Sequence, residues 1–401
     1  MEYRVAMNLP APTLARRTPL VLAALVATTI VGFALVSRLV TRLKANEKQI
    51  AFHAFEAGMA AYKGNDPDRA LDDFRAALSY DRDNPTYQLS LARALRDTGR
   101  LDEAEAYLVH LWEGSPQDST INLALARLAA RRHSVDDALR YYHSAIYGLW
   151  PADPDRNRRQ TRFELIDFLL QQKAFAQAQA ELIGLTEVLP PEAAAHLEVA
   201  ARFRQAGDLR AALGQYELAL RFDQKNSAGW KGAGDAAFQL GHYSSATKYL
   251  RKAIELSPED DTAQQQLATA QLVLKTDPFL RRISDAERNR RLVSAFRLAG
   301  DRLIACAAQT KIDLPDVSGR SSRPGSSATV TGNTLPDLWL RWNAAHGSLR
   351  KLSSASNADM PDTLMDLVSQ IEQQTVQQCG QPTGADLALL LIARDRDGVD
   401  Q

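Results

Sequence analysis

The feature of this sequence that most restricts its fold is a pair of small residues that recurs every 34 positions. In most copies a glycine or alanine is followed twelve positions later by an alanine, and Ile166 is the one bulky exception. The pairs are Gly58 and Ala70, Ala92 and Ala104, Ala126 and Ala138, Ile166 and Ala178, Ala200 and Ala212, and Gly234 and Ala246. A fixed period of this length indicates a stack of short units, each of which buries its apolar face against its neighbours.

The clearest copy, residues 227–260, predicts two amphipathic helices joined by a tight turn. Gly241 would end the first helix and Pro258 the second. Small residues where two helices cross allow their backbones to approach, while larger residues fill the space on either side. The first helix carries Trp230, Ala233, Gly234 and Ala237 at helical spacing, and the second carries Ala246, Tyr249, Leu250, Ala253 and Leu256.

This pattern resembles the tetratricopeptide repeat, a 34-residue helix–turn–helix unit. The sixth copy matches the family at Trp230, Gly234, Ala246, Ala253 and Pro258, and the fourth copy matches least well. The frames are 51–84, 85–118, 119–152, 159–192, 193–226 and 227–260, with a polar insertion at 153–158. The resemblance implies an all-α, right-handed solenoid of about six repeats, closed by a capping helix at 262–275, so that the solenoid with its cap covers 51–275.

The N-terminal region predicts a membrane anchor. Residues 18–37 contain no charge, and 20 apolar residues suffice to cross a bilayer as a helix. We therefore expect a tail at 1–17 and a single transmembrane helix at 18–40. Basic residues lie on both sides of this helix in nearly equal number, so their distribution hardly favours either orientation in the membrane. We expect the repeats on the extracytoplasmic side; the opposite orientation and a cleaved signal peptide remain alternatives.

The C-terminal region predicts helices outside the repeats: a long helix at 276–309, a flexible serine-rich linker at 310–334, and further helices at 335–394. Trp339, Leu340 and Trp342 form an aromatic cluster, which either packs on the long helix or binds a partner. The two cysteines, Cys306 and Cys379, lie in this region. If the region is exported, the two cysteines can form a disulfide; two unrelated buried thiols are the alternative.

The sequence carries no motif that indicates catalysis. It has no HExxH or CxxC pair, no glycine-rich phosphate loop after a strand, and no GxSxG. We therefore predict no catalytic, cofactor-binding or metal-binding residues, with an enzyme site in the C-terminal helices as the less favoured alternative. Lysine and arginine balance aspartate and glutamate at 48 each, so the chain lacks the overall basic charge that nucleic-acid binding needs.

The resemblance also assigns the side chains that would line a concave groove on the first helix of each repeat. The candidates form an apolar, aromatic N-terminal end, an arginine-rich middle and two positions in the sixth repeat. They are Phe55, Met59 and Tyr62, then Arg93, Arg96, Arg127 and Arg131, then Lys231 and Phe238. Arginine forks bind carboxylates through two contacts, so an acidic segment is the expected ligand, unless these arginines pair with acids of neighbouring helices.

Some members of the family hold chaperone tails with Lys and Asn at the positions that Phe55 and Met59 occupy here, so this departure argues against chaperone tails as the partner. The predicted function is that of a membrane-anchored scaffold, which binds protein or peptide partners in its groove and performs no chemical step. A cytoplasm-facing adaptor on the same anchor is the alternative.

Overall fold

The computed structural model describes residues 18–316, 332–347, 349 and 360–399, and within them the chain is helical throughout. These residues form seventeen α-helices and no β-strand, with one isolated bridge between Asp118 and Leu149. The predicted tail at 1–17 and most of the predicted linker at 310–334 lie outside the described residues. The helices are α1 Thr18–Lys63, α2 Pro67–Tyr80, α3 Pro85–Asp97, α4 Leu101–Gly114, α5 Ser119–Arg131, α6 Val135–Tyr147, α7 Pro154–Gln171, α8 Phe175–Thr186, α9 Ala193–Gln205, α10 Leu209–Phe222, α11 Ser227–Gln239, α12 Tyr243–Leu256, α13 Asp261–Thr276, α14 Asp285–Thr310, α15 Leu335–His346, α16 Met360–Cys379 and α17 Gly384–Val399.

The chain folds into two compact units that divide within α7, between Phe168 and Leu169. In the first unit α1, α3 and α5 pack on α2, α4 and α6, and in the second unit α9 and α11 pack on α10 and α12. Successive pairs then stack, α2 on α3 and α4 on α5, and likewise α10 on α11. The predicted all-α repeat fold is confirmed.

The recurring small residues lie where the paired helices cross. A Cβ on Gly58 would stand 2.7 Å from the ring of Phe74, and one on Gly234 would stand 2.7 Å from the side chain of Leu250. Either substitution would force the helix pair apart, which explains why the period shows in the sequence. The alanines of the pattern are fully buried: Ala70, Ala92, Ala104, Ala126, Ala138, Ala178, Ala200, Ala212 and Ala246.

The first helix is longer than the repeat pattern predicts. α1 runs without a break for 46 residues, so the apolar segment at 18–40 and the first helix of the first repeat are one element. Ala51 is the first residue of α1 whose side chain is buried against the repeats, and residues 21–50 are exposed apart from the half-buried Ser37. By length and composition α1 could cross a membrane, a test that a signal sequence also passes.

The polar insertion at 153–158 is helical from its second residue onwards, whereas the sequence placed it between two repeats. α7 begins at Pro154, directly after Asp153, whose carbonyl accepts from the Asn157 amide at 3.1 Å. Proline presets the backbone angle of a first helical turn, and Asp155 adds a favourable negative charge there. The insertion therefore lengthens the first helix of the fourth repeat.

The C-terminal helices cover the last repeat. Ala270 and Val273 of α13 are buried in the same core as Phe296 of α14 and Leu389 of α17. The predicted capping helix therefore packs against the C-terminal helices as well as against the last repeat, and Gln264 and Gln265 of the same helix are exposed. α14 begins at Asp285 rather than at 276, because the Ser284 hydroxyl caps it by accepting from the Glu287 amide at 3.2 Å.

The aromatic cluster of α15 packs on α14. The Trp342 ring stacks on Phe296 with centroids 5.2 Å apart, and its indole N–H donates to the Phe296 carbonyl at 2.9 Å. Trp339 stacks on Trp342 and donates to the Pro315 carbonyl at 3.1 Å. Both indole N–H groups are therefore satisfied inside the unit. Nearby, Cys306 of α14 and Cys379 of α16 are joined by a disulfide that closes 73 residues of chain.

Candidate partner-binding groove

The aromatic residues at the N-terminal end of the candidate groove contribute to the core of the first unit. Phe55 stacks on Tyr87 with ring centroids 4.7 Å apart and lies 5.8 Å from Phe74. Met59 and Tyr62 are half-buried against the same core. Each of these three side chains therefore presents only part of its surface to a partner.

A hydrogen-bonded chain of side chains links α1 to α3. The Tyr62 hydroxyl donates to Asp97 Oδ2, and Arg96 Nε donates to Asp97 Oδ1 at 2.8 Å. Burial alone would raise the pKa of Asp97, but the hydrogen bonds from Arg96 and Tyr62 and the nearby charge of Arg131 lower it overall. The charge of Arg96 is therefore largely neutralised by Asp97, a carboxylate of its own helix.

Arg127 of α5 is paired across to α7. Its Nε and Nη2 donate to the two oxygens of Glu164 at 2.9 and 2.5 Å, which is the two-point arrangement of guanidinium and carboxylate. Burial would lower the pKa of Arg127, but the hydrogen bonds and charge of Glu164 raise it overall. For this arginine the structure shows the pairing with a neighbouring helix that the sequence left open.

Arg93 differs from Arg96 and Arg127 in that it is not paired with a carboxylate among the described residues, although Arg96 Nη1 is likewise buried without an acceptor. The Arg93 side chain is half-buried, and its Nε lies out of contact with solvent and without a hydrogen-bond acceptor among the described side chains. Burial, together with the positive charges of Arg127 and Arg96, lowers its pKa, and the nearby oxygens of Tyr62 and Asp118 only partly oppose this. Arg93 is thus a partly desolvated cation, and the neighbouring charges that shift its pKa most are those of two other arginines.

The remaining candidates are less suited to hold a charged ligand. Arg131 is exposed at the end of α5. In the second unit, Lys231 Nζ is 2.6 Å from Asp260 Oδ2. Phe238 is half-buried and meets Tyr243 edge to face at 5.5 Å. The structure therefore brings Arg93, Arg96, Arg127 and Tyr62 together in the first unit, and leaves Lys231 and Phe238 already engaged.

A second charged cluster, which the sequence reading missed, lies inside the C-terminal helices. Arg302 Nε is 3.2 Å from Glu372 Oε2 and donates to the Thr375 hydroxyl at 2.8 Å, and Arg302 Nη2 donates to the Gly380 carbonyl at 3.1 Å. Glu372 is fully buried and Asp386 lies 3.7 Å from the same guanidinium. Helical spacing from Val368 and Thr375 already places Glu372 on the buried face of α16.

The buried cluster has a perturbed acid but no access for a substrate. Burial first, and then the negative charge of Asp386, raise the pKa of Glu372 to about 8, with Arg302 opposing. Because Glu372 is closed off from solvent, we read this cluster as part of the core. Among the described residues, no group of three His, Cys, Asp or Glu side chains is arranged to hold a metal ion.

Comparison with known proteins identifies the repeats. Models of the tetratricopeptide repeat match residues 61–128 and 227–260. No curated protein sequence matches the chain. Similar solved structures include PilF of Pseudomonas aeruginosa, at 15% identity over 55% of this chain and 97% of that one, with a TM-score of 0.38.

Two further solved structures are similar at the same level. The type IV pilus biogenesis factor PilW shares 19% identity over 54% of this chain and 97% of its own, with a TM-score of 0.39. YrrB, described as a repeat protein with an unusual peptide-binding site, shares 17% identity over 48% and 95%, with a TM-score of 0.36.

Proposed function

The chain is a tetratricopeptide-repeat protein, and from that premise we propose that it is a membrane-anchored scaffold that binds an acidic segment of a protein partner in the first three repeats. Such repeats generally serve as non-catalytic protein-interaction scaffolds. The partner would lie along α1, α3 and α5, where the half-buried aromatic residues adjoin the arginine cluster.

The observation that carries this proposal is the placement of Arg93, whose partly buried guanidinium lies beside two other arginines and has no hydrogen-bond acceptor at Nε within the described part of the chain. A carboxylate bound beside Arg93 would pair with its guanidinium and offset the repulsion from Arg96 and Arg127. A hydrogen bond to a charged group contributes about 1.5–3 kcal/mol, and more where water is excluded. Arg96 and Arg127 would contribute less, since each already holds a carboxylate of this chain.

The binding test uses the full chain in detergent and two fluorescent peptides of equal length, one rich in glutamate and the other with glutamine in its place. We expect the glutamate peptide to bind more tightly, with an affinity that falls as salt rises. Arg93→Gln should weaken it at least about tenfold, because one charge-assisted hydrogen bond is lost. The control is Arg140→Gln, an exposed arginine of α6, which should bind as wild type. Equal affinity of the two peptides would refute the acidic-partner assignment.

Two features support anchoring on the extracytoplasmic side. The exposed apolar part of α1 is long enough to cross a bilayer, and a disulfide such as that of Cys306 and Cys379 persists in oxidising compartments. A reporter fused after Gln401 that is active only outside the cytoplasm is the expected result. Activity in the cytoplasm would instead support the cytoplasm-facing adaptor, and a mature chain lacking the apolar segment would show a cleaved signal peptide.

A further inference from the structure

The part of α1 between the uncharged segment and the repeats is exposed on all sides. Residues 38–50 extend for about 20 Å as a single helix. Five of these residues are charged: Arg38, Arg42, Lys44, Glu47 and Lys48. A helix with this density of charge does not lie in the hydrocarbon core, because each charge would cost several kcal/mol there.

The apolar residues of this segment nevertheless form one continuous stripe. In a heptad register that starts with Val36 at position a, Leu43 and Ile50 also fall at a, and Leu39 falls at d. Their exposed fractions are 60% for Val36, 59% for Leu39 and 55% for Leu43, so the chain itself leaves most of the stripe uncovered. Residues at a and d of two helices pack as knobs into holes, and valine or isoleucine at a with leucine at d favours two strands.

The polar residues agree with the same register. Asn46 occupies the remaining d position, so the seam of a and d residues between two such helices would hold one polar residue among four apolar ones. Arg42 falls at position g and Glu47, five residues later, at position e. In a parallel pair these positions face each other across the seam, so two chains would form two Arg42–Glu47 ion pairs, one on each side.

We propose that residues 36–50 of α1 form a parallel two-stranded coiled coil with a second copy of this chain. The seam is self-complementary in both apolar contact and charge. The apolar segment that precedes it is part of the same helix, so the two copies would enter the coiled coil already aligned. The outward positions b, c and f hold Lys44, Arg38 and Lys48, which stay in solvent.

Cysteine cross-linking on the full chain in lipid nanodiscs tests the seam. Leu43→Cys and Asn46→Cys place a thiol in the seam, and Thr41→Cys and Lys48→Cys place one at the outward position f. The two native cysteines are bonded to each other, so wild type should give no covalent dimer. We expect disulfide-linked dimers at positions 43 and 46 to form at least about fivefold faster than at 41 and 48. Equal rates at all four positions, or no dimer at any of them, would overturn the proposal.

A charge exchange tests the parallel register. Arg42→Glu alone and Glu47→Arg alone should each weaken dimerisation about fivefold, because each places like charges across the seam. The double variant Arg42→Glu with Glu47→Arg should restore it. Dimerisation is measured by sedimentation in density-matched detergent. A double variant as weak as the worse single variant would overturn the parallel pairing.

Discussion

The two arginine clusters of this protein differ in how the arginine charge is balanced. In the first unit, Arg93 is half-buried beside two other arginines and its Nε has no acceptor. In the second unit, Arg302 is almost fully buried, with two carboxylates within 4 Å and further acceptors at Thr375 and Gly380. The first cluster has an excess of cation, and the second an excess of acid.

The difference lies in what each cluster can still bind. The charge of Arg302 is offset within the fold by Glu372, Asp386 and two neutral acceptors, so the fold itself supplies its partners. The charge of Arg93 is only partly offset by nearby oxygens. Its burial therefore costs the folded chain free energy, and a carboxylate from a partner would reduce that cost. Removing the charge of Arg302 should therefore destabilise the second unit, whereas removing the charge of Arg93 should spare the first.

Loss of the disulfide beside Arg302 should have the largest effect on stability. In the chain-entropy model, a bond closing 73 residues contributes about 4 kcal/mol, and Cys379 adjoins Gly380, which accepts from Arg302. The variant Cys306→Ala with Cys379→Ala should lower the free energy of unfolding of the second unit by about that amount. Urea unfolding followed by tryptophan fluorescence measures this, with Trp339 and Trp342 close to the site. A loss below about 1 kcal/mol would contradict the expectation.

Arg302→Leu should come next, at about 3 kcal/mol. Because Glu372, with a pKa of about 8, is largely protonated at neutral pH, the loss comes mainly from the acceptors that Arg302 leaves behind at Thr375 and Gly380, each of which costs about 1–3 kcal/mol when buried without a donor. The matched control is Arg140→Leu, whose side chain is 63% exposed and which should change stability by less than about 0.5 kcal/mol. Equal losses in the two variants would show that the buried cluster does not stabilise the unit.

The pH dependence of stability should carry the signature of Glu372. Its pKa in the folded state is about 8, above its ordinary value of 4.5, so between these values the folded chain holds a proton that the unfolded chain has released. The stabilising contribution is complete below pH 4.5 and is lost as pH rises towards 8. Wild type should therefore lose stability over this range by at most about 1.4 kcal/mol per pH unit.

Glu372→Gln isolates this contribution, because glutamine does not titrate. The difference in melting temperature between wild type and Glu372→Gln should favour wild type most at pH 5 and shrink by pH 8. A difference that stays constant with pH would place the pKa of Glu372 near its ordinary value.

The smallest effects should separate the arginines of the groove. Arg127→Gln leaves Glu164 half-buried without its two-point partner and should cost about 1 kcal/mol. Arg93→Gln removes a repelled cation and should leave stability unchanged or slightly raised. Thermal unfolding of both variants under the same conditions measures the contrast. A larger loss in Arg93→Gln than in Arg127→Gln would reverse the roles assigned to them.

The sequence predicted the repeats well because their cause is local. A helix crossing that admits only a small residue must recur with the structural unit, so Gly58, Ala70, Gly234 and Ala246 report the packing directly. The length of α1 could also have been predicted, since no proline occurs in residues 20–63. The same holds for the insertion at 153–158, where Pro154 starts a helix.

The pairing of Arg93, Arg127 and Arg302 could not be predicted, because it depends on residues distant in the chain. Arg127 is paired and Arg93 is not, and the deciding residue, Glu164, lies 37 positions beyond Arg127. Likewise Arg302 meets Thr375 from 73 positions away. Groove positions carried over from the repeat family say which side chains can face a partner, but not which of them the fold has already used.

The unbroken course of α1 couples length to angle. Each residue of an α-helix advances about 1.5 Å and turns about 100°, so one residue inserted after Ala45 would rotate the upstream segment by about 100° relative to the first repeat. Four inserted residues would add about 6 Å and return the angle to within about 40° of its start. The direction in which the first repeat faces, relative to the upstream segment, is therefore set by the number of residues of α1 between them.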